Sequence, residues 1–230
     1  MVTAERFSQI SGSYWSSLLP QLSKFVAISN QGTREFTDPI SLMSSPRRHP
    51  LVTETAFVAW MTSTLNGAEE SARNRLAAVW NQVPLAQPLD PTEMNDVVSI
   101  ASQLSALRDI EELGLTTIEP KLSGCGFISG GTPDFIGDLS VGSEHGTVLG
   151  EIKMVNRNFR SADYRQMVCY LALYYARTHR ILEYLWLVNP IRGTVMHIDV
   201  DSFFMLTRGQ ASSQAVPELV YEWSSPGVSP

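Results

Sequence analysis

Apolar residues at Tyr14, Leu18, Leu22, Phe25 and Val26 recur at helical spacing, and Pro20 interrupts them, which predicts a short or kinked helix over residues 11–29. Residues 30–50 carry breakers such as Asp38-Pro39 and Ser44-Ser45-Pro46 and read as loop. Helices are then expected over 52–65 and 68–83, the second with Leu76, Val79, Trp80 and Val83 on one face. Residues 84–91 hold Pro84, Pro88 and Pro91 and mark a linker. At Asp90-Pro91-Thr92-Glu93 an N-cap acid, a first-turn proline and a glutamate three residues after the cap coincide. The helix they open carries an apolar stripe of Val97, Ile100, Leu104 and Leu107, and is expected to end at Leu113 with Gly114 as its cap.

The second half changes period. Residues 116–127, containing Ile118 and Leu122, read as a strand, as does 131–139, entered through Gly131 and Pro133. Residues 147–153 read as the next strand, and the intervening Gly142-Ser143-Glu144-His145-Gly146 predicts an antiparallel hairpin. A helix follows over 161–176, then strands over 184–188 and 194–200. The tail beyond Arg208, rich in Ser, Pro and Gly, is expected to be irregular apart from a short stretch at 219–223. No internal repeat is visible.

Side chains alternate between the faces of a strand, so Glu151 and Lys153 point one way and Ile152 the other. With the turn at Gly142 and Ser143, Asp134 falls opposite Glu151. Two adjacent carboxylates repel unless a cation neutralises them, and hard oxygen ligands suit Mg²⁺ or Mn²⁺. A lysine beside such an ion can steady an attacking hydroxide or the charge growing on a phosphate. On the following helix Gln166 and Tyr170 are four residues apart and share a face.

Pro133-Asp134, a spacer, Glu151-Ile152-Lys153 and then Gln166-x-x-x-Tyr170 resemble the motifs of the PD-(D/E)XK nuclease superfamily, nearest its RecB-like branch, whose members process DNA ends or cut DNA. The resemblance covers roughly residues 90–200. It implies an α/β fold with a restriction-endonuclease-like αβββαβ core and a mixed central sheet in a domain over 90–230, preceded by a mainly helical accessory region over 1–89. It implies a Mg²⁺- or Mn²⁺-dependent nuclease acting on DNA, with Asp134 and Glu151 as metal ligands and Lys153, Gln166 and Tyr170 completing the site. The superfamily often supplies a further acid from its first core helix. Glu111, on the apolar stripe beyond Leu107, matches that role, although a residue so near a helix end reads equally as simply exposed. Glu119 is a lesser candidate. The first core helix carries no histidine, which RecB-like enzymes commonly have there.

Composition adjusts this picture. The formal charge of −6 counts against a generic nucleic-acid binder, yet between Lys153 and Arg180 six basic residues face one acid, Asp163. Arg157, Arg160 and Arg165 in this strip are candidate nucleic-acid contacts; the bland reading is a solvated helix surface. Phe57, Trp60 and Trp80 could stack on bases but read more readily as core aromatics. Cys125 and Cys169 are too few for a disulfide framework, and His49, His145, His179 and His197 form no spaced ligand pair. The longest apolar run, residues 168–176, falls far short of the roughly 20 residues that span a bilayer, so no membrane partner is expected. The start of the chain lacks a basic stretch followed by an apolar one, which suggests an intracellular protein of cytoplasm or nucleus. The competing readings are a nuclease-like fold that binds DNA or a protein without cutting, and a plain α/β domain with a surface ion pair at Glu151 and Lys153.

Overall fold

The computed structural model describes residues 1–10, 12–64, 69–80, 87–110, 114–141 and 144–225. In chain order the elements are β1 (Val2–Thr3), α1 (Ala4–Phe7), α2 (Gly12–Leu18), α3 (Leu22–Ser29), β2 (Arg34–Glu35), α4 (His49–Thr64), α5 (Glu69–Trp80) and α6 (Pro91–Ile110). They continue with β3 (Gly114–Ile118), β4 (Leu122–Cys125), β5 (Ile128–Gly131), β6 (Phe135–Val141), β7 (Glu144–Ile152), α7 (Ser161–Thr178), β8 (Tyr184–Asn189), β9 (Thr194–Asp199), α8 (Val200–Arg208) and α9 (Ser212–Ser224).

Six strands form one mixed sheet in the order β2-β9-β8-β7-β6-β3, in which β7 and β8 run parallel and the other neighbours antiparallel. The parallel pair follows from α7, which crosses between them, whereas β6 and β7 are joined tightly enough to pair antiparallel. Alternation along β7 and β8 feeds two cores. Leu149, Leu185 and Leu187 pack with α7 and with the aromatic residues of α1 to α3, α8 and α9. Val148, Trp186 and Val188 pack on the other side with Val97, Ile100, Leu104 and Leu107 of α6 and with α4. Phe57 and Trp60 of α4 are buried there as core aromatics. A second sheet, β1-β5-β4, is small and lies against α7.

The start of α6 follows its sequence signals: the Glu93 amide donates to the Asp90 side chain at 2.8 Å, and the Asp90 amide donates to the Glu93 carboxylate at 3.0 Å. Elsewhere the chain departs from expectation. The single strand over 116–127 is instead β3 and β4 in different sheets, because Glu119 turns the chain at φ 52 and Pro120 has no amide to continue the ladder. The strand expected over 131–139 begins only at Phe135, Gly131 being the end of β5. Gly114 opens β3 opposite Asp138, and the helix end expected at Leu113 lies outside the described residues. Val200 starts α8, because the Asp199 side chain caps it by accepting from the Ser202 amide at 2.7 Å. Among the described residues the tail is not irregular: α9 persists through Pro217, and Ala215, Val216, Leu219 and Trp223 form one buried helical face. Glu111 lies outside the described residues. Among the described residues, no helix is long and apolar enough to cross a membrane.

Candidate active site

Two adjoining pieces of backbone set the site. The β6–β7 register runs from Val141 opposite Glu144 to Phe135 opposite Gly150, so the residue before β6, Asp134, arrives beside Glu151. The Ile152 amide closes this end of the hairpin by donating to Asp134 Oδ2 at 2.7 Å. Asp134 and Glu151 are then both buried, at 8% and 6% exposure. Along β7, Glu151 and Lys153 share the face that meets α7, while Ile152 packs into the opposite core.

A hydrogen-bonded chain leads away from the carboxylates. Lys153 Nζ donates to Glu151 Oε1 at 2.9 Å and to Gln166 Oε1 at 2.7 Å. Gln166 Nε2 donates in turn to Glu151 Oε1 at 2.8 Å and to the Tyr170 hydroxyl at 2.7 Å. The ammonium can only donate and the carboxylate can only accept, so the Gln166 amide has one orientation that satisfies both. Tyr170 passes the chain on to Glu5 Oε1 at 2.8 Å, and Glu5 also accepts the Thr132 amide at 3.2 Å. The single-turn separation of Gln166 and Tyr170 on α7 makes this possible. A Cβ at Gly131 would lie 2.6 Å from the Tyr170 ring, so that the hydroxyl reaches the site only past a glycine.

Electrostatics follow from burial. Glu151 is pushed up to about 8, first by desolvation and then by the charge of Asp134, with Lys153 only partly offsetting both. Desolvation raises Asp134 as well, against the opposing pull of Arg75, the Ile152 amide and Lys153. Burial, then the charges of Glu151 and Glu5, hold the Tyr170 phenol far above its ordinary value, so it stays a neutral donor. Burial acts on Glu5 in the raising direction, but the hydrogen bonds it accepts, those of Tyr170 and Thr132 among them, leave it below the usual carboxylate value. Glu151 Oε2 is buried without a hydrogen-bond partner. An orphaned carboxylate oxygen beside a second buried carboxylate is an oxygen donor set suited to Mg²⁺ or Mn²⁺, ions that can be held by one or two carboxylates with water and phosphate completing the shell. Among the described residues no group of three or more His, Cys, Asp or Glu side chains is placed to hold a metal.

Arg157, Arg160 and Arg165, singled out as nucleic-acid contacts, line with Lys153 and Gln166 a polar cavity of about 420 Å³ bounded also by Ser8, Gln9, Ala162 and Asp163. They are not equivalent. Arg157 forks onto Asp163 at 2.7 and 3.1 Å and is held charged by it. The Arg165 guanidinium carbon sits 5.8 Å from the Trp15 ring centroid, and its buried Nε has no partner; desolvation lowers its pKa. Arg160 is exposed. Asp138 is exposed on β6, one full strand repeat and more from Asp134.

Two participants escape sequence reading. Glu5 stands 165 residues from the tyrosine it bonds, and no local pattern announces it. Arg75 of α5 bonds Glu54 and Glu119, and its Nη1 lies 3.6 Å from Asp134 Oδ1. Glu119 thus meets the site through Arg75 and through its own amide, which donates to the Asp134 carbonyl at 2.9 Å. No protein-family model matches the chain, and no curated protein matches it.

Proposed function

We propose that this chain is a metal-dependent nuclease of the PD-(D/E)XK superfamily that hydrolyses phosphodiester bonds in DNA inside the cell. The observation that carries the reading is Lys153 Nζ held between Glu151 and Gln166, beside a second buried carboxylate and an orphaned Glu151 oxygen. The run α6, β3, β6, β7, α7, β8, with β7 and β8 parallel, agrees with an αβββαβ restriction-endonuclease-like core.

Asp134 and Glu151 would hold Mg²⁺ or Mn²⁺, which when bound supplies Lewis acidity and lowers the pKa of a coordinated water. Lys153 places a fixed positive charge where negative charge grows on the attacked phosphate. Gln166, anchored by Tyr170, fixes the ammonium and Glu151 relative to each other, so little reorganisation is left for the reaction. The cavity lined by Arg157, Arg160 and Arg165 opens beside Lys153 and offers the backbone phosphates of the strand a cationic bed.

The test is cleavage of single-stranded and duplex DNA with Mg²⁺ or Mn²⁺ by wild type and Lys153→Ala. Turnover should fall by roughly two to four orders of magnitude while Mn²⁺ and DNA binding persist, because the lysine acts on charge present only in the transition state. A wild-type protein that binds DNA tightly, binds Mn²⁺ and cuts neither DNA nor RNA would overturn the enzymatic reading in favour of a binding module on the same fold.

A further inference from the structure

The acidic centre contains a cation of its own. Arg75 projects from α5 and lies with its guanidinium carbon 4.1 Å from the centroid of the Phe57 ring. It donates to Glu54 of α4, to Glu119 in the turn after β3, and approaches Asp134 Oδ1 to 3.6 Å. One guanidinium therefore faces three carboxylates from three separate segments. Glu119 adopts a left-handed backbone at φ 52, uncommon for a residue with a side chain, and its amide donates to the Asp134 carbonyl at 2.9 Å. The turn that carries Glu119 is thereby tied to the backbone of Asp134 itself.

The remaining oxygens of the pair are unevenly engaged. Asp134 Oδ2 accepts the Ile152 amide, Glu151 Oε1 accepts Lys153 and Gln166, and Glu151 Oε2 alone is buried without a partner. A two-ion centre needs acidic oxygens facing both ions at about 3.5–4 Å separation. Here Asp134 Oδ1 is faced at 3.6 Å by an arginine, whose charge cannot be titrated away in the physiological range and whose planar fork suits carboxylates.

Building on the nuclease reading, we propose that Arg75 is a fixed second cation of the centre: it fills the position between Asp134 and Glu119 that a second divalent ion would take, and so restricts the site to a single ion. Arg75 is a positioning residue in this role, holding Asp134 and Glu119 apart from further metal while leaving Glu151 Oε2 to the one ion bound. A brace that merely pins α5 to the body predicts the opposite response to its removal, since loosening the carboxylates would cost metal affinity.

Calorimetric titration of Mn²⁺ into the full chain separates the two. Wild type is expected to bind one ion and Arg75→Gln one more than wild type, the second entering between Asp134 and Glu119. Arg75→Lys, which keeps a charge there, should return to the wild-type stoichiometry. Should Arg75→Gln fail to fold through repulsion around α5, the double variant Arg75→Gln/Glu54→Gln relieves that repulsion and should still gain the extra ion at Asp134 and Glu119. A stoichiometry that stays at one, or falls, in the folded variants while wild type binds one ion overturns the role of Arg75 alone. No binding to wild type or any variant overturns it together with the metal-dependent reading.

Discussion

The ring of Phe135 occupies the space above Gly150, its partner across the β6–β7 ladder, so closely that a Cβ on residue 150 would fall 2.0 Å from Cζ. Phe135 is fully buried, and this pair is the last rung before the carboxylates, so the fit of ring over glycine helps hold Asp134 at Glu151. Gly150→Ala should force the ring off its position at about 1–3 kcal/mol, the usual cost of overpacking a tight core. For a chain of this length that is roughly 2–4 °C of Tm per kcal/mol, read by thermal melting. Gly32→Ala, where a Cβ meets nothing closer than 3.8 Å, serves as the control and should leave Tm nearly unchanged. Equal melting of the two variants would show that Phe135 yields freely.

A pH prediction follows from the raised carboxylates. Glu151 sits at about 8 in the fold against an ordinary value of 4.5, and Asp134 moves in the same direction. A raised acid means that the folded state binds the proton more tightly, so the stabilisation is complete below about 4.5 and is lost as pH rises through about 8. Metal-free protein should therefore lose Tm between pH 5.5 and 8.5 more steeply than Glu151→Gln does. Glu5 and Asp96 are shifted down and act below the usual carboxylate range, outside that window. Excess Mn²⁺ should stabilise the upper end of the range, because binding to the folded state requires the ionised carboxylates. Parallel pH curves for wild type and Glu151→Gln would show that Glu151 is ionised throughout.

What the sequence made readable was local. Strand alternation and the position of one turn were enough to place Asp134, Glu151 and Lys153, and a helical repeat was enough to put Gln166 beside Tyr170. The capping box at Asp90 and Glu93 opened α6 where its residues said it should. Long-range partners had no such signature. Nothing near Glu5 points to a tyrosine on α7, and Arg75 looks like any polar residue of a weakly amphipathic helix until Glu54, Glu119 and Asp134 surround it. The errors over the tail and over residues 116–127 share another cause: Pro217 and the Ser-rich context masked a buried helical face in α9, and Pro120 after a residue of positive φ split one apparent strand between two sheets.

The link from Tyr170 to Glu5 predicts energetic coupling between the first helix and the face of α7 that carries Gln166. Tyr170 accepts from Gln166 and donates to Glu5, so Tyr170→Phe leaves the Gln166 amide short of one acceptor and the Glu5 carboxylate short of one donor. Losing a buried hydrogen bond to a charged group costs about 1.5–3 kcal/mol, somewhat less where water can enter. Glu5→Gln should cost less, since an amide oxygen still accepts from Tyr170 and from the Thr132 amide. It also removes a negative charge that helps raise Glu151, and so should shift the pH-dependent loss of stability to lower pH. In a double-mutant cycle measured by denaturant unfolding, a direct bond gives an interaction energy of about 0.5–3 kcal/mol, whereas independent sites add within about 0.3–0.5 kcal/mol. Gln166 keeps its bonds to Glu151 and Lys153 in both variants, so Mn²⁺ affinity should hold while turnover declines in step with the coupling. Additive stability effects with unchanged turnover would mean that the first helix only packs beside α7 and takes no part in setting Gln166.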